Sequence, residues 1–277
     1  MTKNPFPPLP LAGWRHTRDT ITTYAQIVGK VRRATMPKQK HWWHISLRVG
    51  ATGLTTTPIP ASGFVFEITL DFMLHRLLIE TSKGDVREFP LTGQSAADFC
   101  TKLIDELGIL GVTPDIDHTL FQDETLGTYD ETAVFTMWQA FTQIDAVFKA
   151  FKGSIRGETS PVQLWPHHFD MAMLWITGRL IDGQDPNNEE YADEQVNFGF
   201  STGDSTIPDA YFYATVYPLP DDLAERPLPD PAYWHTRGFN GAILMYETLV
   251  DANDPIATLT QFLNATREAA SKSLGIG

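Results

Sequence analysis

From Asp130 to Lys152 one apolar face is held without a break. Val134, Met137, Trp138, Phe141, Ile144, Phe148 and Phe151 recur at spacings of three and four until Gly153 ends the run. A helix carrying so wide a stripe is stable only when that stripe is covered, so it must pack on a sheet or on another helix. The rest of the chain can supply the cover. It has 277 residues, of which 42% are hydrophobic, enough for one large domain or two smaller ones with a real core.

The sheet is announced by a change of period. Trp43, Ile45, Leu47 and Val49 fall on one side at a spacing of two, as do Phe64, Phe66, Ile68, Leu70 and Phe72, and then Leu77 and Ile79, so residues 42–91 are expected to form a β-meander. Helices flank it. After the Pro-rich lead NPFPPLPLAGW, the stripe Ile21, Tyr24, Ala25, Val28 and Val31 predicts a helix over 17–35. Ser95 with Asp98 three residues on opens a second, which carries Cys100, Leu103, Ile104 and Leu107 inward and stops at Gly108. Beyond the long helix, strands are expected at 161–176, 195–200 and 210–217, then a Pro-rich loop over 218–232 and a short helix over 240–250. Asp254-Pro255 reads as the cap and first turn of a final helix.

The fold class expected is therefore α+β, with two antiparallel β-sheets flanked by helices. The order helix, strands, helix recurs in the halves 1–125 and 126–277, and YAQIVGKVRRA before HWWHISLRV echoes FTQIDAVFKAF before QLWPHHFDMAM. An internal duplication with a pseudo-twofold is one expectation, set within a single integrated unit over 1–277.

Charge narrows the partners. Lys and Arg number 21 against 34 Asp and Glu, a formal charge of −13, which repels phosphate backbones and anionic membrane surfaces. Neither nucleic acid nor membrane is expected. One basic stretch departs from this, Lys30, Arg32, Arg33, Lys38 and Lys40, and reads as a solvated helix end or a local anion contact. The single Cys100 rules out an intramolecular disulfide and, on the apolar stripe of its helix, reads as a buried inert thiol. With no leader segment in view, the cytoplasm is the expected location.

The chemistry concentrates in SPVQLWPHHFDMAMLWITG, residues 160–178. On a strand, neighbours face opposite ways, so Trp165, His167, Phe169, Met171, Met173 and Trp175 share one face and His168, Asp170, Ala172 and Leu174 the other. His168 and Asp170 can then act as a pair, the carboxylate orienting the imidazole. A hydrogen-bonded tie between strand and loop explains the same two residues. In VNFGFSTGD and DAYFYATVY, Asn197 and Ser201 and then Tyr211, Tyr213 and Thr215 alternate against apolar residues. Antiparallel pairing would gather His168, Asp170, Asn197, Tyr211 and Tyr213 on one face, a wall suited to a small polar ligand or, equally, a half-solvated sheet surface. Asp204 in STGD adds a carboxylate on a turn. The first half offers His44, Ser46 and Arg48 beside Glu67, Thr69 and Asp71, where cross-strand pairing of Arg48 with Glu67 accounts for the row and a pocket is the other reading. Asp115, Asp117 and His118 match no established cation loop and read as a turn or an edge strand. The well-marked phosphate, dinucleotide, nucleophile-elbow, zincin and redox motifs do not occur.

SPVQLWPHHFDMA, VNFGFSTGD, PDAYFYATVYP and WHTRGFNGAILMYETL, with the early YAQIVGKVR, HWWHISL and GLTTTPIP, resemble a bacterial family known only as a domain of unknown function. The resemblance spans nearly the whole chain and implies one integrated unit. It implies no activity. Its pattern varies at the position of His167 while the following His-Phe-Asp is more typical, which favours His168 and Asp170. The leading expectation is a protein that binds a small polar ligand through Asp170, His168, Asn197, Tyr211 and Tyr213, with His44 and Arg48 as contributors. A metal-assisted or acid/base hydrolase is the alternative, in which His168 serves as ligand or general base, Asp170 as its orienter, and Asp204 or another histidine completes the site. A third reading is a partner-binding protein that docks through loop 218–232.

Overall fold

Antiparallel pairing organises both sheets of the computed structural model, which describes residues 4–276, the side chain of Glu189 apart. The chain passes between two compact units. Ala12–Trp138 with Gln163–Phe169 form one; Gln139–Val162 and Asp170–Gly277, with the stretch up to Leu11, form the other.

In the first unit, α1 (Arg15–Thr35) buries Ile21, Tyr24, Val28 and Val31, the stripe read from sequence. The strands β1 (Arg48–Val49), β2 (Gly53–Thr55), β3 (Ile59–Ala61), β4 (Phe64–Asp71), β5 (Arg76–Thr81) and β6 (Val86–Pro90) run in the order β1-β2-β4-β5-β6, with β3 also paired to β4. Register sets Ile68 opposite Ile79 and Leu70 opposite Leu77, so the apolar positions of β4 and β5 fall on one buried face. Helix α2 (Ala96–Ile109) is capped as expected, since Ser95 Oγ accepts the Asp98 N–H at 3.1 Å. Its Phe99 stacks on Tyr24 at 4.0 Å and 8° and takes Phe89 edge-on. Asp130 Oδ1 accepts the Ala133 N–H and starts α3 (Glu131–Gly153), whose Trp138 meets Phe72 edge-on at 5.6 Å.

Two expectations in this unit are corrected. HWWHISL is not a continuous strand: Lys40–Ile45 form a short 3-10 turn in which His41 (φ 48°) and Trp42 (φ 58°) are left-handed, and pairing begins only at Leu47, which bridges Leu164 before β1. Two successive left-handed residues cannot continue a pleat. Local hydrogen bonds hold this shape, with the Gln39 N–H on His44 Nδ1 at 3.2 Å and Arg32 Nη1 on the Trp43 carbonyl at 3.2 Å. Arg48 does not pair with Glu67 either. Its Nη1 turns to Ser46 and Gln163, and Glu67 accepts the Thr55 hydroxyl instead.

The expected strand over 161–176 is also divided. Within it lie β8 (Gln163–Trp165), a turn at 166–169 that ends on left-handed Phe169 (φ 55°), and β9 (Asp170–Leu180). The second unit contains β7 (Glu158–Thr159), β9, α4 (Glu189–Ala192), β10 (Asp193–Ser201), β11 (Tyr211–Tyr217), β12 (Tyr233–His235), β13 (Gly241–Met245), α5 (Glu247–Asp251) and α6 (Pro255–Leu274). Its strand order is β12-β13-β11-β10-β9-β7. Over 240–250 the chain makes a strand before the helix, because the four-residue run AILM is short enough to serve as either and β11 takes it as a partner. Asp254 Oδ1 accepts the Ala257 N–H at 3.0 Å with Pro255 in the first turn, the predicted start of α6.

The stripe of α3 finds its cover here. Phe141, Phe148 and Phe151 meet Phe200, Phe212 and Phe198, all on one side of β10 and β11. The opposite side is thereby left to Asp170, Asn197, Gly199, Ser201, Tyr211 and Tyr213. Among the described residues no helix is long and apolar enough to cross a membrane.

Candidate functional site

Register decides what this second face can do. Gly199 of β10 stands opposite Tyr213 of β11 and opposite Ala172 of β9, and Ser201 stands opposite Tyr211. The phenol ring of Tyr213 lies across Gly199, so closely that a Cβ there would sit 2.1 Å from Tyr213 Cζ. Crossing the strand in this way brings the Tyr213 hydroxyl to Asp170 Oδ2, to which it donates at 2.5 Å. Tyr211 donates to Asp204 Oδ2, also at 2.5 Å. Asp204 is aimed by its own turn, because its Oδ1 accepts the N–H groups of Thr206 and Ile207 at 2.6 and 2.9 Å. Each carboxylate thus receives a phenol, and the two rings lie with centroids 6.2 Å apart.

The electrostatics follow from burial and charge. The Tyr213 phenol is held well above its usual value, first by burial, then by the nearby Asp170 charge and the hydrogen bond to it, with Asn197 opposing. Tyr211 is raised as well, by burial and then by Asp204. Both phenols therefore stay protonated at neutral pH and serve as donors. The floor beside them is apolar: Ile207, Tyr211 and Ile243 form a small cluster joined by Tyr213, Phe239 and Met245. Asn197 adds an acceptor, since its Oδ1 is buried without a hydrogen bond.

Asp170, Asn197, Tyr211 and Tyr213 are thus on one sheet face, as alternation predicts, and Asp204 reaches it from its loop. His168 is not part of the strand. It lies exposed in the 166–169 turn beside His167, with ring centroids 4.4 Å apart. Pairing of His168 with Asp170 requires a continuous strand, and left-handed Phe169 interrupts the alternation between them. His44 and Arg48 lie in the other unit, His44 buried with Nδ1 engaged by Gln39 and Arg48 half-buried against Ser46 and Gln163. As for the metal set His168, Asp170 and Asp204, the described residues hold no group of three or more His, Cys, Asp and Glu that could bind an ion. An open groove of about 580 Å³, lined by Asp230, Thr248, Asp251, Asp254 and Gln261, contains none of the predicted residues.

A protein-family model described as a family of unknown function, DUF5996, matches residues 6–276. The chain belongs to DUF5996. No curated protein and no solved structure matches it. The match runs through both compact units, so the DUF5996 sequence unit includes the arginines and histidines of the first as well as the tyrosine–aspartate face of the second. On that face, Gly199 is the DUF5996 residue that sequence reasoning passed over. Its signal was present, a glycine inside an otherwise alternating strand in VNFGFS, which marks close approach by another group.

Proposed function

We propose that the protein binds a small polar ligand on the face formed by Asp170, Asn197, Tyr211 and Tyr213, and that this ligand presents hydrogen-bond donors, as a polyol or an amine does. One observation carries the reading: the Tyr213 hydroxyl is laid across Gly199 onto Asp170. A strand gives up side-chain packing at a glycine, and here the space is used to orient a phenol on a carboxylate rather than to fill the core. The unpartnered Asn197 Oδ1 supplies an acceptor on the same face, and the half-buried Tyr213 ring, backed by buried Tyr211, supplies flat apolar surface for the ligand's carbon skeleton.

The test is thermal denaturation in the presence of a panel of polyols and primary amines. A member that raises Tm in the wild type should lose its effect in Asp170→Asn and in Tyr213→Phe. No shift from any member, or a shift that survives both substitutions, refutes the reading.

A further inference from the structure

Arg32 lies on the inner side of α1 and is 2% exposed. A buried guanidinium cannot discard its proton as a buried lysine does, so it normally has a carboxylate partner. Arg32 has none among the described residues. Its Nη1 donates to the Trp43 carbonyl at 3.2 Å and, more weakly, to Ser46 Oγ at 3.5 Å, while its Nε is buried with no acceptor. Arg48 approaches the same serine. Its Nη1 donates to Ser46 Oγ at 2.7 Å, to Gln163 Oε1 at 2.9 Å and to the Leu47 carbonyl at 3.3 Å. Both arginines are therefore fixed through Nη1, and in both the Nε–Nη2 edge meets no acceptor among the described residues.

The neighbours deepen the imbalance. Gln163 is 1% exposed, and its Oε1 is already taken by Ser46 and Arg48 while its Nε2 is buried without an acceptor. The Trp43 indole N–H is buried without one too. Gln163 cannot correct this by turning its amide over, because Nε2 would then face Arg48 Nη1, donor against donor. Positive charge has also gathered: burial, and the charges of Arg32, Arg33 and Lys38, depress the His44 imidazole, and the Arg32 guanidinium is pushed down to about 10 by burial and by Arg48. In a chain with formal charge −13 this is a local reversal of sign.

We propose that Arg32, Arg48, Gln163 and Trp43 form an oxyanion site, which takes the phosphoryl or carboxylate group of a small molecule through the Nε–Nη2 edges of the arginines. The chemistry matches on two counts. An oxyanion has lone pairs to spare and no protons to add, which answers a cluster with surplus donors, and the side edge of a guanidinium is the fork that grips two oxygens at once. Ser46 acts as the positioning residue: its Oγ takes Nη1 of each arginine and so leaves the outer edges turned away from it. Arg48, the half-buried member, is the one within reach of solvent, and Arg32 is the inner wall. The proposal stands independently of the tyrosine–aspartate face.

The experiment is thermal denaturation and isothermal titration of the full chain with inorganic phosphate and with succinate, each against chloride at equal ionic strength. Phosphate or succinate, but not chloride, is expected to raise Tm, and the anion that does so names the group the site prefers. Arg48→Met should bind that anion roughly tenfold more weakly or worse, Arg48→Lys should restore only part because it keeps the charge and loses the fork, and exposed Arg33→Met should bind as the wild type does. Tyr213→Phe should also bind normally, which separates this site from the proposed polyol or amine site. Without anion, Arg48→Met should fold with little loss, since it removes an uncompensated cation. The proposal is overturned if neither anion acts beyond chloride, or if the response is the same in Arg48→Met, in which case the two arginines serve only to hold Trp43 and Gln163 in place.

Discussion

Replacement of Gly199 by alanine isolates the contact on which the tyrosine–aspartate face depends. The added Cβ would lie 2.1 Å from Tyr213 Cζ, 2.4 Å from its hydroxyl oxygen and 2.5 Å from Cε1. Unstrained carbon contacts are about 3.5–4.0 Å, so the ring must shift by roughly 1.5 Å. Overpacking of this kind costs about 1–3 kcal/mol. If the shift also breaks the bond from Tyr213 to Asp170, a hydrogen bond to a charged group, a further 1.5–3 kcal/mol or so is lost. The expected destabilisation is roughly 2–5 kcal/mol, against the small gain that alanine gives over glycine in an unobstructed strand. A double-mutant cycle in urea with Tyr213→Val supplies the control. Once the ring is gone, Gly199→Ala should become neutral or stabilising by up to about 1 kcal/mol, giving a coupling of at least about 2 kcal/mol. A coupling below about 0.5 kcal/mol would refute the argument, because the cost of alanine would then arise from the backbone and not from the ring.

Other substitutions test neighbouring steps. Tyr213→Phe, which keeps the ring over Gly199 and removes only the donor to Asp170, should cost about 1.5–3 kcal/mol in urea denaturation, and a loss under about 0.5 kcal/mol would mean the hydroxyl bond adds nothing. Asp145 in α3 is 6% exposed, and burial raises its carboxyl despite the ion pair with Lys149. Its folded state holds the proton more tightly than the unfolded state, so this contribution is present at low pH and lost as pH rises above the ordinary carboxylate value through the raised one. Asp145→Asn should therefore gain on the wild type across that interval, and two parallel stability curves would contradict it. Ser95→Ala removes the cap of α2 and should cost about 1 kcal/mol, read as a fall in the urea midpoint with unchanged slope.

How far the face was legible can be judged residue by residue. Alternation in VNFGFSTGD and DAYFYATVY put Asn197, Tyr211 and Tyr213 on the side away from Phe198, Phe200 and Phe212, and the sheet keeps that division because one face must be apolar to receive α3. Alternation failed at HHFD. A single left-handed residue, Phe169, was enough to remove His168 from the strand, and φ at one position leaves no periodic trace. It failed likewise at HWWHISL, where the apolar spacing is that of a strand but His41 and Trp42 turn left-handed. The basic stretch reads from sequence as a helix end or an anion contact, and that Arg32 within it is buried with an Nε lacking an acceptor is visible only in the fold.

By itself the sequence determined the elements whose stability is local or periodic: the stripes of α1 and α3, the Ser95 and Asp254 caps, and the inward and outward sides of β4, β10 and β11. These depend on residues at most a few positions apart. Only the tertiary structure decided the partners. Tyr213 meets Asp170 across 43 positions of chain, and Arg48 meets Gln163 across 115, with Glu67 left to Thr55. Register and strand order set such encounters, and a one-residue change of register would have exchanged every one of them while leaving the local pattern the same.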